Sequence, residues 1–339
     1  MNEKVAQALD HIDDAYIAQA ARRKKRHYVR KALIAAVLAL AFLFHIPALP
    51  LAISAKAVSL APESRKTARP SHSSDRFDDW YDAQMLRLDK VAAAVPAVAA
   101  FAEDCSAEVL AGTDTANRLW SPINAYIALA VTAELAGSHT REELLRALGK
   151  DSIETLRQDI SALWETIYSD NGREISVLAN SLWLDEDVDY VQQAMDDIAY
   201  HHYASIYQGD LGSNRTNRAM ANWLNNQTGG FLKDRTGKLS VDPESLLALV
   251  STVYFQAQWS DRFRSADNTE GVFHTAEGDI PCTFMHRNAE DFKANYYWAE
   301  DYGAIQLFLK NNAMMWLILP DEDKTTDDVL RSGDYMDMI

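Results

Sequence analysis

VSTVYFQAQW, residues 250–259, is the stretch on which the fold turns. It is largely apolar for six positions, turns polar at Gln256 and Gln258 around Ala257, and closes on Trp259. Val, Thr, Tyr and Phe suit a pleated surface, and the run is short for a helix, so it predicts a strand. Ser251 is a polar guest inside it. Whether this is an ordinary sheet strand or one with a task depends on what surrounds it.

At 339 residues and 48% hydrophobic content, the chain has material for one large domain or two ordinary ones, with a packed core. The net charge of −16 is unevenly spread: residues 1–57 carry nine Lys/Arg against four Asp/Glu, and the acidic excess lies in residues 58–339. An acidic body repels phosphates, which argues against nucleic-acid binding. The two cysteines, Cys105 and Cys282, have no metal-binding spacing around them. They read as buried free thiols, with a disulfide as the alternative if the body is extracellular.

Residues 22–31, RRKKRHYVRK, hold seven basic side chains and run into the apolar stretch 32–53, ALIAAVLALAFLFHIPALPLAI. As a helix, 22 residues span about 33 Å, enough for a bilayer core, with Pro47 and Pro50 bending the second half. The positive block predicts a cytoplasmic lead over 1–31, an exported body, and a transmembrane anchor or signal segment over 32–53. AKA at 55–57 fits a small-x-small cleavage site, so retention as an anchor and removal as a signal peptide both stand as outcomes. Residues 54–76 are expected as a polar linker, Pro/Ser-rich over 61–76, and 77–339 as the folded domain.

Within that body, SPINAYIALAVTAELAG (121–137) has helix punctuation: Ser121 at the N-cap, Pro122 at the first position, Gly137 past the end. Thr140 and Glu143 are placed for a capping box opening the next helix. ISVLANSLWLDED (175–187) predicts a strand, and RAMANWLNNQTGGF (218–231) a helix with a Met220, Trp223, Leu224 stripe, stopped at Gly229 and Gly230. A hairpin is expected around residues 277–279, strands over 304–309 and 313–319, and a capped helix from TTDDVL. Helices mixed with non-alternating strands predict an α+β architecture.

Enzymatic motifs are missing. There is no G-x-S-x-G elbow, and SDN at 169–171 lacks its β-lactamase companions. His201 and His202 are adjacent on an expected helix, so their side chains diverge by about 100°, which suits a solvated pair better than a metal site. Asp321, Asp323 and Thr325 imitate a calcium loop, but Thr326 stands where glycine is needed. The chain reads as no enzyme, with no cofactor.

The order and spacing of these segments resemble the serpins, a family of serine-protease inhibitors. LWSPINAYIALAVTAELAGSHTREELLRALG, LANSLWLDE, ANWLNNQTGGFLKD, LLALVSTVYFQAQWSDRF, GVFHTAEGDIPCTFMHR and MMWLILPDE succeed one another as they do in that family, over about residues 95–330. The resemblance implies a serpin-like mix of helices and β-sheets, incomplete because the reactive loop and the C-terminal strands would come after Ile339. It makes 246–255 the strand beside which a cleaved loop inserts. Ser121, Asn124 and Ser251 then fall at the shutter that lets strands part, and Trp259 at the breach where insertion begins. Ser251 replaces the family's usual Asn, and Ala257 its usual Gly. The implied function of a full-length parent is inhibition of serine or cysteine endopeptidases, with a protease and, through the N-terminal segment, a membrane as partners. The alternative is a non-inhibitory extracellular binding or structural remnant of the fold. No reactive bond is identified within this chain.

Overall fold

The computed structural model describes residues 55–62, 71, 73–112, 117–170, 174–275, 278–287, 294–310 and 313–338. The basic lead, the apolar run 32–53 and Glu277 lie outside the described residues. Among the described residues, no helix is long and apolar enough to cross a membrane. The chain divides into two units. One comprises the chain up to Cys105 with Ser121–Tyr168 and Val177–Tyr254, the other Ser106–Trp120, Ser169–Ser176 and everything from Phe255 onward.

The first unit sets helices against a sheet. Helix α1 (Phe77–Leu110) carries Pro96 inside it and continues past the lost N–H. Ala94, Phe101, Ala102 and Cys105 are its buried side chains in this unit, and the Phe101 ring meets Tyr126 edge-on at 5.5 Å. Helix α2 (Pro122–Leu135) starts where Ser121 and Pro122 predict. Helix α3 (Ser138–Ala147) corrects the expectation for Thr140: only Ala136 and Gly137 separate it from α2, so the N-cap is Gly137 and no side chain caps it. Helix α4 (Ile153–Ile167) is capped by Ser152, which accepts from the Thr155 N–H.

Strand β3 (Ile175–Asp185) and β4 (Ala204–Gly209) pair in parallel, with Asn180 opposite Ala204 and Asp185 opposite Gly209. A parallel pair needs a return crossover, and helix α5 (Gln192–His202) supplies it. Strand β5 (Leu247–Gln256), which carries Ser251, pairs with β3. On the far side β4 pairs antiparallel with β1 (Lys56–Ser59), so the stretch expected as linker contributes a strand. Helix α6 (Asn214–Gln227) presses Met220 and Trp223 into a cluster with Ala55, Ala179, Trp183 and Leu211, as its stripe predicts. It ends on Gly229 at φ 58°, where an added Cβ would come within 3.2 Å of the Tyr254 ring.

In the second unit β2 (Ser169–Asp170) pairs with the first two residues of β3. Strands β6 (Thr269–Thr275) and β7 (Gly278–Phe284) form the expected hairpin. β8 (Asn295–Trp298), β9 (Tyr302–Phe308) and β10 (Met314–Pro320) make an antiparallel sheet. Helix α7 (Thr326–Ser332) begins with the reciprocal Thr325–Asp328 box and closes a small core of Tyr302, Ala304 and Val329. Both cysteines are free thiols; Cys105 is buried as expected, whereas Cys282 is only half-buried.

Candidate functional site

Three of the four sequence-derived site residues meet in the first unit. Ser121 stands at the start of α2, and its hydroxyl donates to Asn124 Oδ1 at 2.6 Å instead of capping the helix backbone. Asn124, half-buried in the first turn, donates through Nδ2 to Ser251 Oγ at 2.6 Å. Ser251 passes the chain on, donating to Asn180 Oδ1 of β3 at 2.7 Å. These bonds tie the helix to β5 and β5 to β3. The reach that serine lacks relative to asparagine is made up from the neighbouring strand: Asn180 is 2% exposed and supplies the amide.

Asn180 was not among the candidate residues. The signal for it is an asparagine in the middle of LANSLWL, a strand otherwise apolar enough to be buried on both faces. A buried amide demands partners, and Asn180 finds them in Ser251 and the His202 carbonyl.

His202 leads to a second polar cluster. The residue is fully buried, which corrects the expectation of a solvated histidine pair: the last turn of α5 directs this ring at α2. Its Nε2 lies 3.0 Å from Glu134 Oε1, whereas Nδ1 has no partner. A ring with hydrogen on Nε2 satisfies both facts, donating to the carboxylate and leaving no N–H stranded. Glu134 also receives Arg157 Nε at 2.6 Å and Nη2 at 2.8 Å, a two-pronged pair. Arg157 Nη2 reaches Asp197 at 3.0 Å as well. Burial pulls the Glu134 carboxyl upward, but hydrogen bonds from Arg157 and His202 outweigh it and bring its pKa down to about 2. Burial, reinforced by the Arg157 charge, lowers that of His201. The arrangement locks α2, α4 and α5 together beneath β3, and holds no nucleophile–base pair. Among the described residues no His, Cys, Asp or Glu group of three could hold a metal.

Trp259 belongs to the second unit. It bridges Leu309 in antiparallel fashion, flanked by Ser260 N–H to Phe308 O and Lys310 N–H to Gln258 O, both 2.9 Å. Its ring meets Phe263 edge-on at 5.9 Å, and Arg287 lies over Phe263 at 4.0 Å. The segment after β5 is thus pinned to the end of β9. Ala257 sits there without positive φ, so its methyl brings no backbone strain. β5 itself is half open: Leu247 and Val253 are exposed, and among the described residues β3 is its paired strand.

A family model described as serpin (serine protease inhibitor) matches residues 96–334. The chain belongs to the serpin family. An uncharacterized serpin-like protein of Thermococcus kodakarensis is 28% identical over 278 residues, covering 78% of this chain and 62% of that protein. Plasminogen activator inhibitor 1 of Mus musculus is 24% identical over 228 residues, 63% of this chain and 55% of the relative. Among solved structures, the native state of the thermophilic serpin tengpin matches with a TM-score of 0.62 at 22% identity, covering 82% of this chain and 67% of that one. Its latent state matches at 0.61 and 25% identity, covering 71% and 65%. The chain spans about three-fifths of the length of the curated relatives it matches. The serpin fold expected from the sequence is therefore present, and the family is one of inhibitors rather than enzymes. The serpin match opens at Pro96, so the first half of α1 and all of β1 precede it.

Proposed function

We propose that this chain is the sheet-bearing part of an exported serpin that traps serine or cysteine endopeptidases by loop insertion. The observation that carries the reading is β5: its pairing lies on the β3 side, its apolar residues are half open, and Ser251 joins it to Asn124 and Asn180 by hydrogen bonds. A strand added beside β5 would gain a ladder of backbone hydrogen bonds and bury Leu247 and Val253. Ser121, Asn124, Asn180 and Ser251 act as the latch that must give way as the sheet opens, and Trp259 marks the end where insertion begins. The reactive loop is not drawn from residues 321–338, because α7 and a closing 3-10 turn at Asp334–Met338 occupy them. It is placed in sequence beyond Ile339.

The test is incubation of the whole gene product, and of residues 1–339 alone, with a panel of serine and cysteine proteases. A complex that survives denaturing electrophoresis is expected for the former and not the latter. Covalent trapping by residues 1–339 would remove the assignment of the loop. Cleavage of the whole product without trapping would favour the non-inhibitory binding reading. Export is our reading of the basic block 22–31 ahead of the apolar run, a pattern that favours a cytoplasmic N-terminus and an outside body. A cytoplasm-dependent reporter fused after Arg76 should be silent; an active one overturns export.

A further inference from the structure

The tripeptide Ala55-Lys56-Ala57 has two competing uses, as a peptidase site or as part of the fold, and its packing decides between them. Ala55 is 9% exposed and belongs to the cluster of Trp183, Leu211, Met220 and Trp223. Its Cβ lies 3.4 Å from where a side chain on Gly209 would begin, so Ala55 packs alongside the end of β4. Lys56 pairs with Gln208, Ala57 with Tyr207 and, after a bulge, Ser59 with Ile206. The strand is fastened further by Ser59 Oγ donating to Asp196 at 2.9 Å and by the Ala61 N–H donating to Ser205 Oγ at 3.2 Å. A tripeptide serving only a peptidase has no side-chain role in the folded protein. Ala55 has one.

We propose that Ala55–Ser59 is a permanent fastening strand, that the chain is not cut after Ala57, and that residues 1–54 stay covalently joined to the first unit at the edge of its sheet. Cutting there would remove two of the three paired positions of β1 and the methyl that covers Trp183. The released piece could not return, because it would leave with the apolar segment. Retained, the apolar run ends at Ile53, about 7 Å at full extension before the buried Ala55. The sheet edge is then held directly against the surface from which the segment emerges. This placement rests on the export reading; the fastening strand does not.

The experiment uses the full chain expressed in cells, with three readouts: external protease access to the body, mass spectrometry of its N-terminal peptides, and hydrogen exchange after detergent extraction. The expected result is an external body, an intact peptide spanning Ile53–Val58, and exchange of the Ala55–Leu60 peptide slowed at least about tenfold against an unstructured reference. Ala57→Arg, which no peptidase of the small-x-small type accepts, should leave the size of the protein unchanged. A mature N-terminus at Val58, or an Ala57→Arg product larger than the parent by the length of the leader, overturns the proposal while leaving export intact. An internal body overturns export, and the exchange measurement then decides the strand by itself: free exchange over Ala55–Leu60 sinks it.

Discussion

Strands β3 and β10 are comparably apolar in sequence and opposite in fate. In ISVLANSLWLD, Leu178 through Leu184 are buried without a break, Asn180 and Ser181 included. In MMWLILP, Met314, Met315, Leu317 and Leu319 are exposed, the last at 75%. β3 has β4 on one side and β5 on another, takes Trp164 from α4 onto its Leu178 carbonyl, and packs Trp183 with Met220 and Trp223 of α6. β10 has β9, and α7 with Tyr335 and Met338 covers the face of Trp316 and Ile318. Alternation sends Met315, Leu317 and Leu319 the other way. Burial is thus a property of the layers stacked on a strand, and apolar composition only makes it worthwhile.

The sharpest challenge to that contrast is polar. Glu134→Ala leaves Arg157 and His202 facing a gap in the helical layer, and should cost about 4 kcal/mol in urea denaturation. A loss under about 1 kcal/mol would mean the cluster relaxes into water and the layer is not sealed. Next comes Leu182→Ala in β3, expected to cost about 3 kcal/mol because its site cannot collapse between helices and sheet.

Acid provides a third measurement. Glu134 has a folded pKa of about 2 against an ordinary 4.5, so its stabilisation is complete above 4.5 and disappears as pH falls through 4.5 toward 2. The amount is of the order of 3 kcal/mol. Denaturation midpoints measured across that window should fall in the parent and flatten in Glu134→Gln; equal slopes would discard the assignment. Ser251→Ala comes fourth, at about 2 kcal/mol, since it strands the Asn124 amide and the Asn180 carbonyl oxygen together. Smallest is Leu319→Ala in β10, expected within about 0.5 kcal/mol. Should Leu319→Ala approach the cost of Leu182→Ala, the two strands are not opposites after all.

Much of the fold was legible because its signals are local. Ser121-Pro122 starts a helix, Gly229-Gly230 stops one, and Thr325 with Asp328 forms a box within four residues. Thr140 misled because a cap depends on where the previous helix releases the chain, and α2 releases it at Ala136. The His201-His202 pair misled for a related reason: helical spacing shows that the rings diverge, but not that one diverges into α2.

The candidate site was half legible. Ser121, Asn124 and Ser251 were placed by resemblance, and their hydrogen bonds connect residues 127 positions apart. Asn180 was passed over because an asparagine within an apolar strand has no partner that spacing can name; the partner lies 71 positions along the chain.

By itself the sequence determined the punctuation of several helices, a strand over 246–255 that the structure forms at Leu247–Gln256, and, through the order of its motifs, the resemblance to the serpins, because these signals are written in consecutive residues. Only the tertiary structure decided that Asn180 completes the Ser251 contact, that Glu134 is claimed by Arg157 and His202 at once, and that Lys56–Ser59 is a strand rather than a linker. Each of these depends on a partner distant in sequence. A buried polar group or an edge strand takes its state from whichever distant atoms come within hydrogen-bonding reach, and folding alone brings them there.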